Sequence, residues 1–417
     1  MDGQQCDSSA QRFSHYLDEL ASVIGHAARI VPLKDYCSGL LLPGDRKSVE
    51  PMAAVTAPER VAAQHQSLLH FVGAGGWSDD KVLAKVRELV LPQIERHGAV
   101  EAWIIDDTGM PKHGRHSVGV ARQYCGQLGK QDNCQVAVSL SLANHHASLP
   151  VAYRLYLPKT WVEDSERRDK AGVPAEVTFL TKPQIALAQL RWACEAGLPR
   201  GVVLIDAGYG ADTELRDSIS ALNLTYAVGV RGTAIAATTG RAAPGSEPKR
   251  GSLEDIALSL PKSAWRTISW RDGTNTLLSG RFARSRVRVA HGGVKGITGR
   301  ADEWLLIEWP EDEKKPTKYW LSTVPQDLAF DRLVDIVKLR WRIERDYLEL
   351  KQEVGLGHFE GRGWRGFHHH ATLCIAAYGF LISEREAFSP SSLRTQIIGK
   401  ELAIPQGYRP RGAAIAA

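Results

Sequence analysis

Short apolar runs alternate with helical segments through the middle of the chain, and this alternation constrains the fold more than any other feature. AVEAWIIDD and VVLIDAGYG are apolar runs that lead into acidic residues, and TKPQIALAQLRWACEAGLPRG between them reads as a helix with a glycine stop. NCQVAVSLSLAN and LPVAYRLYLP are two more strand-like runs, which a short turn joins into a hairpin. Strands that alternate with helices and include an antiparallel pair predict an α/β fold, in which a mixed sheet is flanked by helices.

The regions on either side of this alternation have different patterns. Helical patterns fill the first 97 residues, strand-like runs such as DEWLLIEWP and TKYWLSTV replace helices from about residue 231, and GTAIAATTGRAAPGSEPKRG reads as a loop. One continuous helix over residues 326–355 and a second from about residue 366 to 386 follow. The predicted parts are a helical N-terminal domain, the first part of the core, a β-rich insertion, the C-terminal helices of the core and a tail: residues 1–97, 98–230, 231–325, 326–390 and 391–417.

Composition limits the cellular setting and the classes of partner. The net charge of +5 over 417 residues, with a pI near 8.8, is a mild basic bias that is compatible with nucleic acid. The six cysteines include no CxxC pair, which argues against a zinc framework or a disulfide scaffold. The first ten residues lack the features of a signal peptide, and the longest apolar run, Ala371 to Ile382, is too short to span a bilayer. We expect a reduced, cytoplasmic protein that does not enter membranes.

Three carboxylates are the candidates for chemistry. Asp107 and Asp206 each follow an apolar strand, and sites in open α/β sheets form beyond the carboxyl ends of strands. Glu344 lies on a helical segment, and together the three are able to hold a pair of divalent cations, because Mg²⁺ prefers hard oxygen ligands. The competing interpretation for each Asp is a helix N-cap or a turn former, which is the commoner role after a strand.

The helix LRWRIERDYLELK places its charges on two sides. Arg340, Glu344 and Lys351 fall within roughly 40° of one another on a helix, beside an apolar stripe, so they lie at the margin of the buried face. In that position Arg340 and Lys351 are candidates to bind phosphate. An i,i+4 salt bridge at the core edge is the alternative. The remaining charged residues are predicted to form a solvated face: Lys338, Arg342, Arg345, Asp346, Glu349 and Glu353.

Further basic residues are candidates for contacts with DNA. The segment from Thr108 to Lys130 is rich in glycine and has a cationic and acid-poor character that suits a DNA backbone, with Lys112, Arg115 and Arg122 as contacts; a mobile surface loop fits it equally well. Two adjacent basic residues, Arg46 and Lys47, precede two short helical segments near the N-terminus. This pattern suits a helical DNA-binding module, although a helical capping domain fits the pattern about as well.

These motifs resemble those of bacterial insertion-sequence transposases of the DDE type. The family signature is Tyr, two residues, Arg, three residues, Glu, six residues, Lys, and Arg340, Glu344 and Lys351 match its last three positions at the right spacings. Val337 occupies the Tyr position, so one phosphate contact of the family is either missing or supplied by another residue. IIDDTG resembles the first catalytic motif, with its Asp-Thr pair at Asp107 rather than Asp106, and LIDAGYG resembles the second, at Asp206.

The resemblance implies a ribonuclease H-like core with a β-rich insertion before the catalytic Glu. It implies two Mg²⁺ ions, which Mn²⁺ can replace, held by Asp107, Asp206 and Glu344. The expected activity is cleavage of double-stranded DNA at terminal inverted repeats and joining to target DNA, by a homodimer in a synaptic complex. In this family an aromatic residue of the insertion stacks on a flipped base, and Trp320 is near the corresponding place; a core position in a strand is the favoured interpretation of Trp320.

Other functions remain open on the sequence. A nuclease or resolvase with the same fold would cut DNA without strand transfer. A nucleotide-binding enzyme would use VVLIDAGYG as a phosphate turn, but the third glycine of the dinucleotide fingerprint is absent. A metal-binding protein built on His368, His369 and His370 is disfavoured, because adjacent residues on a helix point about 100° apart.

Overall fold

The computed structural model describes residues 8–239, 249–272, 277–290 and 301–388. Within them the chain forms one mixed sheet of twelve strands with helices on both faces. The predicted tail at residues 391–417, the N-terminal residues 1–7 and residues 240–248 of the predicted loop lie outside the described part of the chain.

The N-terminal region is helical, as the sequence predicts. Its helices are α1 (Ser9–Ser22), α2 (Ile30–Leu41), α3 (Val49–Thr56), α4 (Val61–Gly73) and α5 (Asp79–Glu95). Ser8 caps α1 through a capping box and Ser78 caps α5, so both helices begin at residues that satisfy free backbone N–H groups. The apolar faces of these helices belong to the same continuous hydrophobic core as one face of the sheet.

The α/β region follows the alternation seen in the sequence. Its elements are β1 (Ala102–Pro111), β2 (Ala121–Cys125), β3 (Lys130–Ala143), β4 (Ser148–Leu155), α6 (Lys159–Val162), α7 (Ser165–Ala171), α8 (Lys182–Glu195), β5 (Val202–Ile205), α9 (Ala207–Gly210), α10 (Thr213–Ala221) and β6 (Tyr226–Val230). β1, β5 and β6 are parallel neighbours, whereas β3 pairs antiparallel with β1 and with β4. This mixed sheet, flanked by helices, confirms the predicted ribonuclease H-like fold class.

The β-rich insertion extends the core sheet. Its elements are β7 (Ile235–Thr238), β8 (Arg250–Ser252), α11 (Leu253–Leu258), β9 (Arg266–Asp272), β10 (Leu277–Val289), β11 (Glu303–Trp309) and β12 (Lys318–Ser322). β12 pairs with β6, and the order across the sheet is β2-β3-β1-β5-β6-β12-β11-β10-β7-β8. The expectations that this region lacks helices and begins as a loop were wrong, since α11 and β7 are present.

Strand β1 continues beyond the two acidic residues that the sequence placed at its end. It runs to Pro111 because β3 pairs with it along its whole length, from Ala102 opposite Ala143 to Pro111 opposite Cys134. The prediction that the strand closes at Asp107 was therefore wrong, and the predicted basic loop contains the end of β1 and all of β2. Only Asp206 directly follows its strand, β5.

Three helices complete the described chain: α12 (Phe330–Lys338), α13 (Trp341–Gln352) and α14 (Trp364–Ala387). The predicted single helix is interrupted at Leu339 and Arg340, so α12 and α13 are separate. α14 has 24 residues and contains the apolar run from Ala371 to Ile382, which is buried in the core. Within the described residues, no helix is both long and apolar enough to cross a membrane.

The two faces of the sheet have separate apolar cores. Ile104 of β1 and Leu204 of β5 pack against α12 and α13 on one face, called here the α13 face. Ile105 and Val203, their neighbours in sequence, pack on the opposite face, which is covered by α8, α10 and α14 and called here the α8 face. This alternation follows from the two-residue period of a strand and decides which helix each residue of β1 meets.

Candidate active site

The neighbouring carboxylates of β1 point to opposite faces of the sheet. Asp106 lies opposite Ser139 of β3, whereas Asp107 lies opposite Val138. Ser139 Oγ is 2.8 Å from Tyr347 Oη of α13, which fixes Asp106 and Ser139 on the α13 face. Asp107 therefore belongs to the α8 face.

Asp106 is buried beneath α13. Its carboxylate accepts a hydrogen bond from Arg340 Nη2 at 2.8 Å, and its backbone carbonyl accepts one from Tyr347 Oη at 2.9 Å. Burial raises the pKa of Asp106 to about 7; the positive charge of Arg340 opposes this shift, and the nearby Asp206 adds to it. Arg340 and the backbone N–H of Asp107 thus hold the carboxylate in a buried position.

Asp107 meets a different cation on the α8 face. Lys182, the first residue of α8, forms a salt bridge with its carboxylate. α8 runs antiparallel to β5, so its N-terminus lies at the edge of the sheet where β5 ends. Thr181 fixes this end of the helix with a capping box and thereby positions Lys182 beside β1.

Asp206 closes β5 and also caps a short helix. Its Oδ1 accepts hydrogen bonds from the backbone N–H groups of Gly208 at 3.0 Å and Tyr209 at 3.2 Å. The capping role considered for this residue is therefore present. Asp206 also lies at the end of the sheet, where its negative charge raises the pKa of Asp106 and of Arg340.

The margin of α13 contributes the remaining charged groups. Arg340 bridges two carboxylates, because its Nη1 donates to Glu344 Oε1 at 3.0 Å while Nη2 binds Asp106. The side chain of Glu344 is 65% exposed and so remains accessible from the cleft. Lys351 Nζ donates to the backbone carbonyl of Gly109 at 2.8 Å, and burial lowers its pKa.

These groups line one cleft of about 650 Å³ at the edge of the sheet. The cleft brings together five residues predicted from the sequence, namely Asp107, Asp206, Arg340, Glu344 and Lys351. It also contains residues that the sequence did not single out as site residues: Asp106, Tyr124, Lys182 and Tyr347. Residues from β1, from the end of β5, from the start of α8 and from α13 therefore meet at one place.

The donor chemistry of the cleft fits a hard divalent cation. Its carboxylate oxygens are the ligands that Mg²⁺ and Mn²⁺ prefer. As placed, no group of three His, Cys, Asp or Glu side chains among the described residues converges on one ion, and Arg340 and Lys182 instead occupy the carboxylates of β1. Near these carboxylates, the hydroxyl of Tyr209 is buried without a hydrogen-bond partner in the described part of the chain.

Comparison with known proteins identifies the family of the chain. The family model for DDE superfamily endonucleases matches residues 19–277, which include Asp107 and Asp206. The chain belongs to this family. It is also 24% identical, over 319 residues, to a probable transposase for insertion sequence element IS701 from Microchaete diplosiphon; the alignment covers 75% of this chain and 72% of that protein. The predicted membership of the insertion-sequence DDE transposases is confirmed, and with it an enzyme of the nuclease or transposase type.

In this DDE endonuclease, the basic residues predicted to contact DNA differ in their exposure. Arg115 and Arg122 are exposed, the latter on the edge strand β2. Lys112 Nζ donates to the carbonyl of Phe359 at 2.6 Å, and burial lowers its pKa to about 8. Of these three residues, Lys112 would have to give up an internal hydrogen bond to approach a phosphate, whereas Arg115 and Arg122 are exposed for such a contact.

The other predicted DNA contacts lie outside the cleft. Arg46 is exposed and forms a salt bridge with Glu360. Lys47 is buried, and its ammonium group donates to the backbone carbonyl of Leu42, so its burial argues against the predicted DNA contact. Trp320 lies at the centre of β12 and packs with the apolar cluster of the α13 face, which supports the favoured core interpretation.

The far side of α13 is only partly the solvated face that helical geometry predicted: Arg345 and Glu353 are exposed, but Arg342 and Asp346 are buried. Arg342 is 8% exposed and Asp346 is 2% exposed, because β4 and α14 cover this side of the helix. Asp346 accepts hydrogen bonds from Ser148 Oγ at 2.7 Å and Tyr378 Oη at 2.9 Å, and burial raises its pKa to about 7. α13 is thus anchored on one side while its margin faces the cleft.

The three consecutive histidines are core residues of α14. His369 stacks on Trp77, and its ring nitrogens contact the backbone carbonyls of Val72 and Trp77. His370 contacts Tyr36 Oη at 2.9 Å. Burial lowers the pKa of all three to about 4. His369 and His370 join α14 to the N-terminal helices, whereas His368 accepts a hydrogen bond from the backbone N–H of Leu155 in β4.

Lys182 in the cleft and Tyr209 near it carried weak sequence signals. Lys182 stands directly after the N-cap Thr181 of the helix that precedes β5, a position whose proximity to the end of β5 follows from the antiparallel course of helix and strand. Tyr209 lies three residues after Asp206, within the turn that the sequence had marked. Neither residue is distinguished by composition, so only the topology identifies them.

Proposed function

We propose that this DDE endonuclease is a cut-and-paste transposase, which cleaves DNA at the ends of a transposon and transfers the strands into target DNA. The observation that supports this most is the meeting of carboxylates from β1, β5 and α13 with Arg340 in one open cleft. Family membership implies a divalent metal and a DNA substrate. The finer features below are part of the proposal.

Asp107, Asp206 and Glu344 are the proposed metal ligands and hold two Mg²⁺ ions, which Mn²⁺ can replace. When bound, the ions activate the attacking oxygen and stabilise the leaving oxygen of a phosphodiester. Asp206 is already oriented by two backbone N–H groups, and Glu344 is accessible at the margin of α13. Because Asp106 shares the α13 face with Glu344, it is the alternative ligand from β1.

Arg340 and Lys351 are proposed to bind the phosphates beside the reacting bond. Both project from α13 toward the cleft, and Arg offers two parallel donors that match a phosphate. Arg115 and Arg122 extend this cationic track along the edge of the sheet, and Lys112 joins it if DNA displaces the carbonyl that it binds. The N-terminal helical domain, through Arg46, is proposed to bind terminal inverted repeats.

The proposed reacting complex is a homodimer that pairs two transposon ends on target DNA. The proposal also includes the division of the chain into domains. These are an N-terminal domain up to residue 97, a core interrupted by the insertion at 231–325, and C-terminal core helices from residue 326.

The test uses the purified chain, Mg²⁺ and linear DNA that carries the sequences flanking the gene. Cleavage at the repeat ends, followed by joining of precleaved ends to a supercoiled plasmid, is the expected result. Asp206→Asn and Glu344→Gln should lose both activities and retain the thermal unfolding temperature of the wild type. Cleavage without any joined product would instead identify a nuclease or resolvase of the same fold.

A further inference from the structure

Each carboxylate of β1 is neutralised by a cation from a different helix. Arg340, at the start of α13, binds Asp106, and Lys182, at the start of α8, binds Asp107. All four side chains are partly buried, with exposed fractions between 13% and 31%. The two cations therefore lie on opposite sides of the strand and face the same cleft.

The charges of the cleft nearly balance without any bound ion. Its lining contains four carboxylates, Asp106, Asp107, Asp206 and Glu344, and three cations, Lys182, Arg340 and Lys351. Two divalent ions would add four positive charges and leave the cleft strongly cationic. This excess of positive charge is offset if the side-chain cations leave their carboxylates and pair with other anions. DNA phosphates are such anions.

We propose that Lys182 and Arg340 are counter-cations that hold Asp107 and Glu344, two of the proposed metal ligands, in the metal-free enzyme and move to DNA phosphates when metal binds. Metal and DNA then bind with positive coupling, since each removes an obstacle to the other, and the coupling is reciprocal. This proposal rests on the proposed function. It assigns to Lys182 a role as a positioning residue that couples the two ligands.

The geometry makes the exchange feasible for both side chains. Lys182 is at the first position of α8, so its long side chain can turn outward without disturbing the helix. Arg340 stands between α12 and α13, and its Nε is buried without a hydrogen-bond partner among the described residues. Neither side chain is held by a complete set of internal partners.

The test measures Mn²⁺ binding to the DNA-free full-length chain by isothermal titration calorimetry. Lys182→Gln and Arg340→Gln should each bind Mn²⁺ about fivefold more tightly than the wild type, the effect of removing one partly exposed competing ion pair. Lys182→Arg and Arg340→Lys keep the charge and should retain the wild-type affinity. The matched controls Lys170→Gln and Arg345→Gln remove paired, exposed cations away from the cleft and should change nothing.

Fluorescence anisotropy with a double-stranded oligonucleotide supplies the second readout. Mn²⁺ should strengthen DNA binding by the wild type, and this gain should shrink in Lys182→Gln. If Asp206→Asn abolishes Mn²⁺ binding but Lys182→Gln and Arg340→Gln leave both the Mn²⁺ affinity and the gain unchanged, the counter-cation proposal is wrong and the proposed function stands. If Asp206→Asn leaves Mn²⁺ binding intact, the metal site of the proposed function is wrong, and this proposal fails with it.

Discussion

Two adjacent aspartates of β1 have different environments, because Asp106 lies on the α13 face and Asp107 lies on the α8 face. On the α13 face, Asp106 is buried, shares Arg340 with the exposed Glu344 and has its pKa raised to about 7 by burial. On the α8 face, Asp107 is more accessible and meets Lys182 at the start of a capped helix. The pair shows that, in the middle of a strand, the environment of a carboxylate depends on the parity of its position and on the helix that covers that face.

In the proposed metal centre, Asp107 of the α8 face, Glu344 of the α13 face and Asp206 at the end of β5 act together. Asp206→Asn and Glu344→Gln should therefore reduce Mg²⁺-dependent cleavage by about a thousandfold or more, because the metals supply several kcal/mol of transition-state stabilisation. Single-turnover cleavage of end DNA measures the loss. Glu353→Gln is the control. It changes an exposed side chain directly after α13 and should retain activity.

The two faces can be separated by removing one β1 carboxylate at a time. With Asp107 as ligand, Asp107→Asn should lose cleavage as completely as Asp206→Asn. Asp106→Asn should lower cleavage only about 10- to 100-fold, because it releases Arg340 from its position. The same cleavage assay ranks them, and the reverse ranking would transfer the metal ligand to Asp106 and to the α13 face.

Arg340, the proposed phosphate contact on the α13 face, should affect the cleavage rate less than the metal ligands do. Arg340→Ala should slow cleavage about a hundredfold, the effect of removing one donor that stabilises developing charge, while metal binding persists. Rate measurements at saturating Mg²⁺, together with Mn²⁺ titration, distinguish this result from loss of the ions. A variant that no longer binds Mn²⁺ would contradict the assignment of Arg340 to phosphate.

The α13 face also depends on the buried anchor on the other side of the helix. Asp346→Ala should destabilise the protein by about 2–4 kcal/mol, because Ser148 and Tyr378 lose their shared acceptor in the core. Chemical denaturation measures the change. Arg345→Ala, on the exposed side of the same turn, should stay within about 0.5 kcal/mol of the wild type.

The same anchor predicts a pH dependence with a definite sign. Burial raises the pKa of Asp346 to about 7, above its ordinary value of 3.8, so between these values the unfolded chain releases a proton that the folded protein retains. The stability of the wild type relative to Asp346→Asn should therefore fall as the pH rises from about 4 to about 7. Denaturation of both proteins across this range gives the difference, and a constant or rising difference would show that the carboxyl group is not desolvated as described.

Much of the fold follows from sequence periodicity, whereas the environment of single charges does not. The strands, the helices and the strip of Arg340, Glu344 and Lys351 on α13 follow from local patterns. The continuation of β1 past Asp107 depends on pairing with β3, a contact that no local pattern encodes. The same holds for the addition of the insertion strands to the core sheet through β12.

Charge patterns failed where a second element covers a helix. Arg342 and Asp346 belong to a polar stripe that would be solvated on an isolated amphipathic helix, but α14 and β4 bury it. Lys47 looked like a free cation next to Arg46, and it is buried with its ammonium group on a backbone carbonyl. Lys182 was missed because its partner, Asp107, is 75 residues away in sequence.

The central claim, that carboxylates from β1, β5 and α13 form one metal centre, is tested most directly by counting bound Mn²⁺. Electron paramagnetic resonance of free Mn²⁺ gives the number of ions bound per chain in the presence of end DNA. We expect two ions for the wild type and for Glu353→Gln, and a loss of at least one ion in each of Asp107→Asn, Asp206→Asn and Glu344→Gln. Unchanged binding in all three cleft variants would contradict it.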